Sequence, residues 1–370
     1  MIWAGLKRDS ADVPTAMRFY IDSYHPVISG WVLPDNPSAQ PTLTLVLDGG
    51  RERRVVPADI YREDLKALGL HATGHCSFQI DAAAVTGADP ARPIEIYEHW
   101  SNVLLCRRAK GEAALQSRIF LLETQTRPLL PIARRSSAYF EDCHTDIETL
   151  SEDTTISVVV GSSESHFVSG RVLFRNLEGH LRAREYKTAV LLPDPVRELA
   201  DKLLLLKQLS EFLDSGESWK QLGQHELTEA LGGVDLTNPA DLKRALMSLD
   251  DDNFLLLANP TTRKLTANTR QQPIEPHHVP QALSALASFD VVGAEPELDA
   301  FLAGLEEICG VRDLPAPSPP SDGVAEVMAA LRRCPALPDF VSFDEAVYNI
   351  TLDALRSAPA ADEVALEPVH

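Results

Sequence analysis

The stretch Lys187-Thr-Ala-Val-Leu-Leu-Pro-Asp-Pro-Val-Arg-Glu-Leu-Ala-Asp-Lys-Leu-Leu-Leu-Leu-Lys207 decides the fold, because an apolar run changes there into a helical pattern. After Pro193, Asp194 and Pro195 form a typical helix start, since aspartate caps the first turn and proline fits the first helical position. Leucines then recur on one helix face, at Leu199, Leu203 and Leu206. The stretch predicts a buried strand leading into a helix. The N–H groups of such a helix start can bind an anion, although α/β domains also form this junction without a ligand.

The composition indicates large hydrophobic cores and no membrane span. With 370 residues, 44% of them hydrophobic, the chain suits two or three domains. No run approaches the ~20 apolar residues that cross a bilayer, and the N-terminus lacks the order of a signal peptide. The five cysteines form no Cys-x-x-Cys pair, and the adjacent Cys143 and His144 point apart in regular structure. We therefore expect a cytoplasmic protein without disulfides or a metal.

The charge balance restricts the partners. Thirty-four basic and 54 acidic residues give a formal net charge of −20, which repels nucleic acid and anionic membranes. An anionic small ligand stays open, because a pocket needs only a few convergent groups.

Residues up to about 110 are predicted to be β-structure. Residues 42–50 and 93–100 have strand patterns, and residues 58–69 suit a short helix stopped by glycine. The succession Gly30-Trp31-Val32, Pro34-Asp35, Asp48-Gly49, Tyr61-Arg62-x-Asp64-Leu65 and Gly74-His-Cys-Ser-Phe78 resembles a small β-sandwich module. Bacteria join this module to glycosyltransferases and sulfotransferases of surface-polysaccharide synthesis. The resemblance covers residues 17–108 and assigns no chemistry to the motif residues.

Two tryptophans of this region have alternative interpretations. Trp31 and Trp100 follow strand patterns, where a tryptophan is more often a core residue than a platform for a sugar ring. We therefore expect both in the core.

From residue 118 the pattern alternates between strands and helices. Residues 118–122, 155–160 and 190–192 are predicted as strands of one parallel sheet with helical crossovers. Further helices are predicted at residues 222–231, 239–249, 279–288, 297–308, 324–333 and 344–356. Residues 314–322 form a proline-rich connector, and the tail from Ser357 has the composition of a disordered end.

This half resembles the bacterial carbohydrate sulfotransferases. The landmarks, in the family's order, are Ser165-His166-Phe167, Leu192-Pro-Asp-Pro-Val196, Asn259-Pro-Thr-Thr-Arg263, Phe289-Asp-Val-Val-Gly293 with Glu295, and Phe343-Asp-Glu-Ala-Val-Tyr348. Those enzymes transfer a sulfuryl group from the nucleotide PAPS to a sugar hydroxyl on a P-loop-like α/β fold. The resemblance implies that fold and a carbohydrate acceptor.

The chain departs from the family at both phosphate-binding positions. The family's Pro-Lys-x-Gly-x-Thr loop is replaced by residues 123–130, with Gln125 near the lysine position and Pro128 in place of a backbone donor. At the second position the family reads Arg-Asp-Pro with a later serine. Here Asp194 is kept, but Pro193 replaces the arginine and Asp201 replaces the serine. We therefore expect weak or absent PAPS binding.

The resemblance also assigns residues to the acceptor and donor. His166 falls on the histidine that removes the acceptor proton, a task suited to a pKa near neutrality, and the alternative is a hydrogen-bonded ring at a strand end. Asn259, Thr262 and Arg263 are candidates for a nucleotide or sugar contact. Arg134, Arg135 and Arg263 are the candidate replacement cations in a working enzyme.

The sequence thus predicts an α/β protein in two domains, a β-sandwich at residues 1–112 and a sulfotransferase-like domain with a helical C-terminal part at 113–356, followed by a tail at 357–370. The leading hypothesis is a sulfotransferase-like protein of surface-polysaccharide modification with a degenerate PAPS site. An active sulfotransferase and a non-enzymatic protein that docks on a glycosyltransferase are the alternatives.

Overall fold

A computed structural model describes residues 16–24, 27–47, 50–81, 93–108, 115–161, 163–213 and 225–357. The tail predicted after Ser357, the Asp48-Gly49 turn and the first residues of the helix predicted at 222–231 lie outside these ranges. Among the described residues, no helix combines the length and the apolar character that crossing a bilayer requires.

The N-terminal part consists of two four-stranded antiparallel sheets. The strands are β1 (Arg18–Ser23), β2 (Val27–Leu33), β3 (Thr42–Leu47), β4 (Glu52–Pro57), β5 (Ile60–Tyr61), β6 (His75–Asp81), β7 (Ile94–Glu98) and β8 (Leu104–Arg108), with a short helix α1 (Glu63–Ala67). One sheet has the order β1-β2-β6-β5 and the other the order β4-β3-β7-β8. Alternate side chains of both sheets share one core, which confirms the predicted β-structure.

The glycine of the Gly30-Trp31 landmark has a packing role. A Cβ at Gly30 would lie 2.4 Å from the carbonyl oxygen of Tyr20 on the neighbouring strand. Only glycine allows this close approach of β1 and β2.

The second part is built on a parallel five-stranded sheet. Its strands are β9 (Arg118–Glu123), β10 (Asp142–His144), β11 (His166–Gly170), β12 (Lys187–Leu192) and β13 (Val291–Ala294), in the order β10-β11-β9-β12-β13. The strands predicted at 118–122 and 190–192 are confirmed, and they pair directly. The structure therefore confirms the α/β class with a parallel sheet.

The prediction of a strand at residues 155–160 was wrong. Residues 155–159 belong to helix α3 (Glu152–Val159), with Val160 as its C-cap, and not to the sheet. The Ser151 Oγ accepts a hydrogen bond from the Thr154 N–H at 3.2 Å, and two acidic residues occupy the first turn. These start signals, together with burial of Val158 and Val159, outweigh the β-propensity of the valines.

Helices cover both faces of the parallel sheet. They are α2 (Leu130–Ser136), α4 (Phe174–Ala183), α5 (Pro195–Leu213), α6 (His225–Gly232), α7 (Pro239–Met247), α8 (Asp251–Leu257), α9 (Pro260–Thr266), α10 (His278–Leu286), α11 (Leu298–Cys309), α12 (Val324–Leu331) and α13 (Leu337–Ser357). Ile119 and Leu121 of β9 share a core with α2 and α11, whereas Phe120 and Leu122 share one with α3, α4, α10 and α13. Successive side chains of β9 thus pack against the helices on opposite faces of the sheet.

The C-terminal helices add a core of their own. The apolar face predicted for α5 at Leu199, Leu203 and Leu206 is buried against helices α6, α7 and α12. The helix predicted from Asp344 begins earlier, at Leu337, and the helix predicted at 58–69 is confined to Glu63–Ala67, with strand β5 before it. The other predicted helices agree with the structure within a few residues where it describes them.

Candidate functional site

The expected position for a ligand in a sheet of this kind, here called the crevice, lies where the strand order reverses. The chain leaves β9 toward β10 on one side of the sheet and leaves β12 toward β13 on the other side. In open α/β sheets, ligands bind beyond the carboxyl ends of the strands at such a switch point. Here the loop 124–129 after β9 and the start of α5 after β12 border that position.

The loop after β9 is fastened to the neighbouring strand by its own side chains. The Thr124 hydroxyl and the Gln125 amide donate hydrogen bonds to the carbonyl oxygen of Leu191, at 2.7 and 2.8 Å. Thr124 and Gln125 are both buried, and the Gln125 Oε1 accepts a bond from the Thr124 N–H at 3.2 Å. Gln125, a candidate for donor binding, is thus engaged within the protein.

The backbone carbonyls of this loop face cations. Lys264 Nζ donates to the Thr124 carbonyl oxygen at 2.6 Å, and Arg171 Nη1 donates to the Thr126 carbonyl oxygen at 2.8 Å. A phosphate cradle requires the opposite orientation, with N–H groups pointing at the ligand. These two carbonyls therefore favour the positive groups of the chain over a phosphate.

Carboxylates accept hydrogen bonds from further donor groups of the same loop. Glu123 Oε2 accepts a hydrogen bond from the Leu129 N–H at 3.0 Å, just before α2. Burial raises the pKa of Glu123 to about 7. The Thr126 hydroxyl donates to the Glu198 carboxylate, whose pKa burial also raises.

Asp201, the residue in place of the family's serine, belongs to a side-chain network. Its Oδ2 pairs with Arg127 Nε at 2.9 Å, and its Oδ1 accepts a bond from the Ser321 N–H at 3.3 Å. The Ser321 hydroxyl donates to Asp201 and accepts a bond from Arg127. The network joins the loop after β9, helix α5 and the proline-rich connector.

The start of α5 is also satisfied internally. Asp194 Oδ1 accepts a hydrogen bond from the Arg197 N–H at 2.9 Å, as the sequence predicts for an N-cap. Glu295 Oε2 accepts the Asp194 N–H at 3.0 Å, and the Glu295 carboxylate forms an ion pair with Arg197. Carboxylates of the chain thus occupy the helix start that could otherwise bind an anion.

Two partly buried lysines complete the cluster. Burial, with repulsion from Lys264 as the second cause, lowers the pKa of Lys202 to about 8. Burial lowers the pKa of Lys264 as well, while Glu198 opposes that shift. Glu148 belongs to the same group through its ion pair with Arg171. We refer to these four acidic and four basic side chains as the crevice cluster: Glu123, Glu148, Glu198, Asp201, Arg127, Arg171, Lys202 and Lys264.

His166 lies at the opposite edge of the sheet. It is the first residue of β11, only 2% exposed, and does not line a cleft as expected. Its Nε2 is 2.8 Å from His144 Nδ1, and its Nδ1 is 2.7 Å from the Tyr186 hydroxyl. His144 Nε2 in turn contacts the Leu104 carbonyl oxygen of β8 at 2.9 Å. The alternative interpretation, a hydrogen-bonded ring at a strand end, describes this geometry.

The Asn259 segment forms a joint between α9 and α13. Asn259 has a left-handed backbone (φ 48°), and its Oδ1 accepts the N–H groups of Phe343 and Asp344 at 2.9 and 3.2 Å. Thr262 donates its hydroxyl to Asp344 at 2.7 Å. The Arg263 guanidinium donates to the carbonyl oxygens of Ala258, Arg270 and Gln272. Asn259 and Thr262 therefore join the two helices, whereas Arg263 is engaged by carbonyl oxygens on either side of α9.

Arg134 and Arg135, the candidate replacement cations, lie in the last turn of α2, remote from the loop that precedes this helix. Arg134 is exposed, and the Arg135 guanidinium packs over the Tyr139 ring at 5.0 Å. The structure brings Gln125 and Asp194 to the crevice and leaves His166, Arg134 and Arg135 elsewhere.

Sequence reasoning missed most of the crevice cluster. Lys264 directly follows the Asn259–Arg263 landmark, and Glu198 lies one helical turn after Asp194. Their proximity in sequence to these landmark residues was the available signal, but their contacts with the loop after β9 span 140 and 72 residues of sequence.

No group of three or more His, Cys, Asp or Glu side chains in the described ranges is arranged to hold a metal ion. No protein-family model matches the chain, and no curated protein matches its sequence.

Proposed function

We propose that the chain is a cytoplasmic, sulfotransferase-like protein of surface-polysaccharide modification that does not use a nucleotide donor. One observation carries the proposal. The chain's own charged side chains occupy the crevice at the switch point. The loop after β9 directs backbone carbonyls at cations there, where a phosphate would need N–H groups. The residues at the switch point do not fit PAPS, and the proposed function includes no sulfuryl transfer from it.

The electrostatics support weak donor binding. The cations of the crevice cluster are already engaged, Arg127 by Asp201, Arg171 by Glu148 and a loop carbonyl, and Lys264 by the Thr124 carbonyl, so an added phosphate would have to displace these partners. A phosphate within ~4 Å of one carboxylate is repelled by about 1 kcal/mol in water-like surroundings and about 4 kcal/mol in a partly screened pocket. Loss of the charge-assisted bond that an arginine at Pro193 would make adds roughly 1.5–3 kcal/mol. A total above ~4 kcal/mol corresponds to about a thousandfold weaker binding.

The test is calorimetric titration with PAP, the desulfated donor. We expect no binding tighter than about millimolar. Micromolar binding by the unaltered protein would overturn the proposal, and Arg127, Lys202 and Lys264 would then be the first cations to substitute.

A variant pair makes the titration more specific. Asp201→Ser removes a carboxylate and releases Arg127 from its ion pair, so PAP binding should improve modestly, and adding Pro193→Arg should improve it further. Asp299→Ser removes an exposed aspartate on α11 and serves as the control for net charge. An equal gain in the control would show that the crevice plays no particular part.

A further inference from the structure

An exposed aromatic surface lies on the β-sandwich, away from the crevice. Trp100 was expected in the core, yet its side chain is 81% exposed. It occupies the tip of the hairpin between β7 and β8, just beyond the last residue of the strand. Exposure of this large apolar ring to water is unfavourable by itself, and the residues around Trp100 explain its position.

The hairpin tip is held rigidly by a buried carboxylate. Glu98 is 6% exposed, and its Oε2 accepts the N–H groups of Trp100 and Ser101 at 3.0 and 2.6 Å and the Ser101 hydroxyl at 2.7 Å. The backbone closes the turn between Glu98 and Val103 with a hydrogen bond of 2.9 Å. The indole is therefore presented from a fixed support.

The neighbouring side chains extend the ring into a continuous surface. The His99 ring packs edge-on against Trp100 with centroids 4.7 Å apart, and His99 Nδ1 contacts Thr44 Oγ1 at 2.8 Å. Thr44 stands opposite Tyr97 on one side and Val55 on the other, so these residues share the outer face of the sheet. The Tyr97 hydroxyl donates to Glu95 Oε2 at 2.8 Å, and Val55 is 58% exposed. We refer to Val55, Thr44, Tyr97, His99 and Trp100 as the aromatic face.

We infer that the aromatic face binds a neutral carbohydrate chain, with a pyranose ring stacked on Trp100. A sugar presents C–H groups on its faces and hydroxyls on its edges, which suits an indole packed against His99 on a face that also carries the polar groups of Thr44 and Glu95. Aromatic side chains with few rotatable bonds bind rigidly at a small entropic cost.

Size and charge favour a sugar over other partners. The strip from Val55 through Thr44 to Tyr97 crosses two strand spacings, about 10 Å. A stable protein interface needs about 800 Å² on each side, far more than this strip supplies. Nucleobases also stack on aromatic rings, but a net charge of −20 repels their phosphates. The same charge opposes an anionic glycan or lipid surface.

The experiment is titration of the full-length protein with three neutral hexasaccharides, cellohexaose, maltohexaose and chitohexaose, to millimolar concentration. We expect at least one to bind, Trp100→Ala to weaken that binding about tenfold or more, and Trp100→Phe to retain it within about threefold. Leu68→Ala is the control, since Leu68 is a 72% exposed apolar residue elsewhere on the sandwich.

Three results would overturn the inference. They are no binding of any hexasaccharide, binding that Trp100→Ala leaves unchanged, and an equal loss with Leu68→Ala. The tryptophan fluorescence spectrum of a variant that keeps only Trp100, with Trp3, Trp31 and Trp219 changed to Phe, gives a fourth measurement. A spectrum typical of a buried indole would also overturn the inference, because another part of the chain would then cover the face. None of these outcomes depends on PAP binding, so the carbohydrate face and the crevice are tested separately.

Discussion

The buried histidine pair makes stability depend on pH in a defined direction. The Leu104 carbonyl can only accept, so His144 carries its proton on Nε2 and accepts at Nδ1 from His166 Nε2–H. His166 Nδ1 then accepts from the Tyr186 hydroxyl. Each ring is neutral in this chain of bonds, and a further proton on either ring would break one of them.

The pKa directions agree with this hydrogen-bond arrangement. Burial lowers the pKa of His144 to about 4, and burial followed by repulsion from His144 lowers that of His166 well below its usual value. Arg118 and Arg184 face His166 and act in the same direction. A depressed folded-state pKa means that the stability is fully present above ~6.5 and is lost as the pH falls, because the unfolded chain takes up the protons. Between pH 7 and 5 the loss is about 2 kcal/mol for each histidine.

A second pair of groups acts in the opposite direction. Burial raises the pKa of both Asp142 and Glu123 to about 7, so the folded protein takes up their protons between ~7 and ~4 and gains stability as the pH falls. The pH dependence of the wild-type stability therefore combines the loss caused by the histidines with the gain caused by the carboxyl groups. A difference between variants separates them, since the carboxyl contributions are common to both proteins.

The assay compares urea unfolding of the wild type and of His144→Gln at pH 7, 6 and 5. Glutamine offers one acceptor and one donor for the same neighbours but does not titrate. We expect the stability difference between the two proteins to move by about 2 kcal/mol in favour of His144→Gln as the pH falls from 7 to 5. A histidine change on the surface of α4, His180→Gln, is the control. A pH-independent difference for His144→Gln would refute the reasoning.

Two further predictions concern packing and capping, and both are measured as free energies of unfolding in urea. Gly170→Ala should destabilise the protein by about 1–3 kcal/mol, because the new Cβ would lie 2.5 Å from Ile147 Cγ1, whereas Gly179→Ala on α4, with nothing within 4 Å, should stabilise it by about 0.5–1 kcal/mol. A loss at both glycines would contradict the packing argument. Asp344→Asn should cost about 1–3 kcal/mol, since Asp344 accepts three donors from Thr261 and Thr262 and an amide cannot accept at both of its ends. An unchanged stability would show that the helix joint relaxes around the amide.

Local patterns predicted the elements that local physics controls. The junction at Asp194 and Pro195 follows from capping and proline geometry, and the structure has the predicted strand β12 and helix α5 there. The replacements at Gln125, Pro193 and Asp201 were also visible in the sequence, since the resemblance supplies the residues expected at those positions. They predicted a degenerate donor site without showing what fills it.

Local patterns failed where competing signals or distant contacts decide. Residues 155–160 have the composition of a strand, but the Ser151 cap and packing against the sheet make residues 155–159 helical. Trp100 has an apolar side chain in a strand-like pattern, yet it lies two residues past the end of the strand and points to solvent. A shift of one or two residues at a strand end changes the exposure of a side chain completely.

The sequence by itself determined the α/β class and the two kinds of sheet, because periodicity, caps and prolines act within a few residues of the chain. Only the tertiary structure decided the rest. Whether His166 faced a ligand depended on residues 155–159 being a helix packed on the sheet, which makes His166 the first residue of β11 and not a residue after a strand. The crevice cluster depended on Lys264 and Glu198 reaching a loop far away in sequence. Such contacts are set by how helices pack on the sheet, and no local propensity encodes that packing.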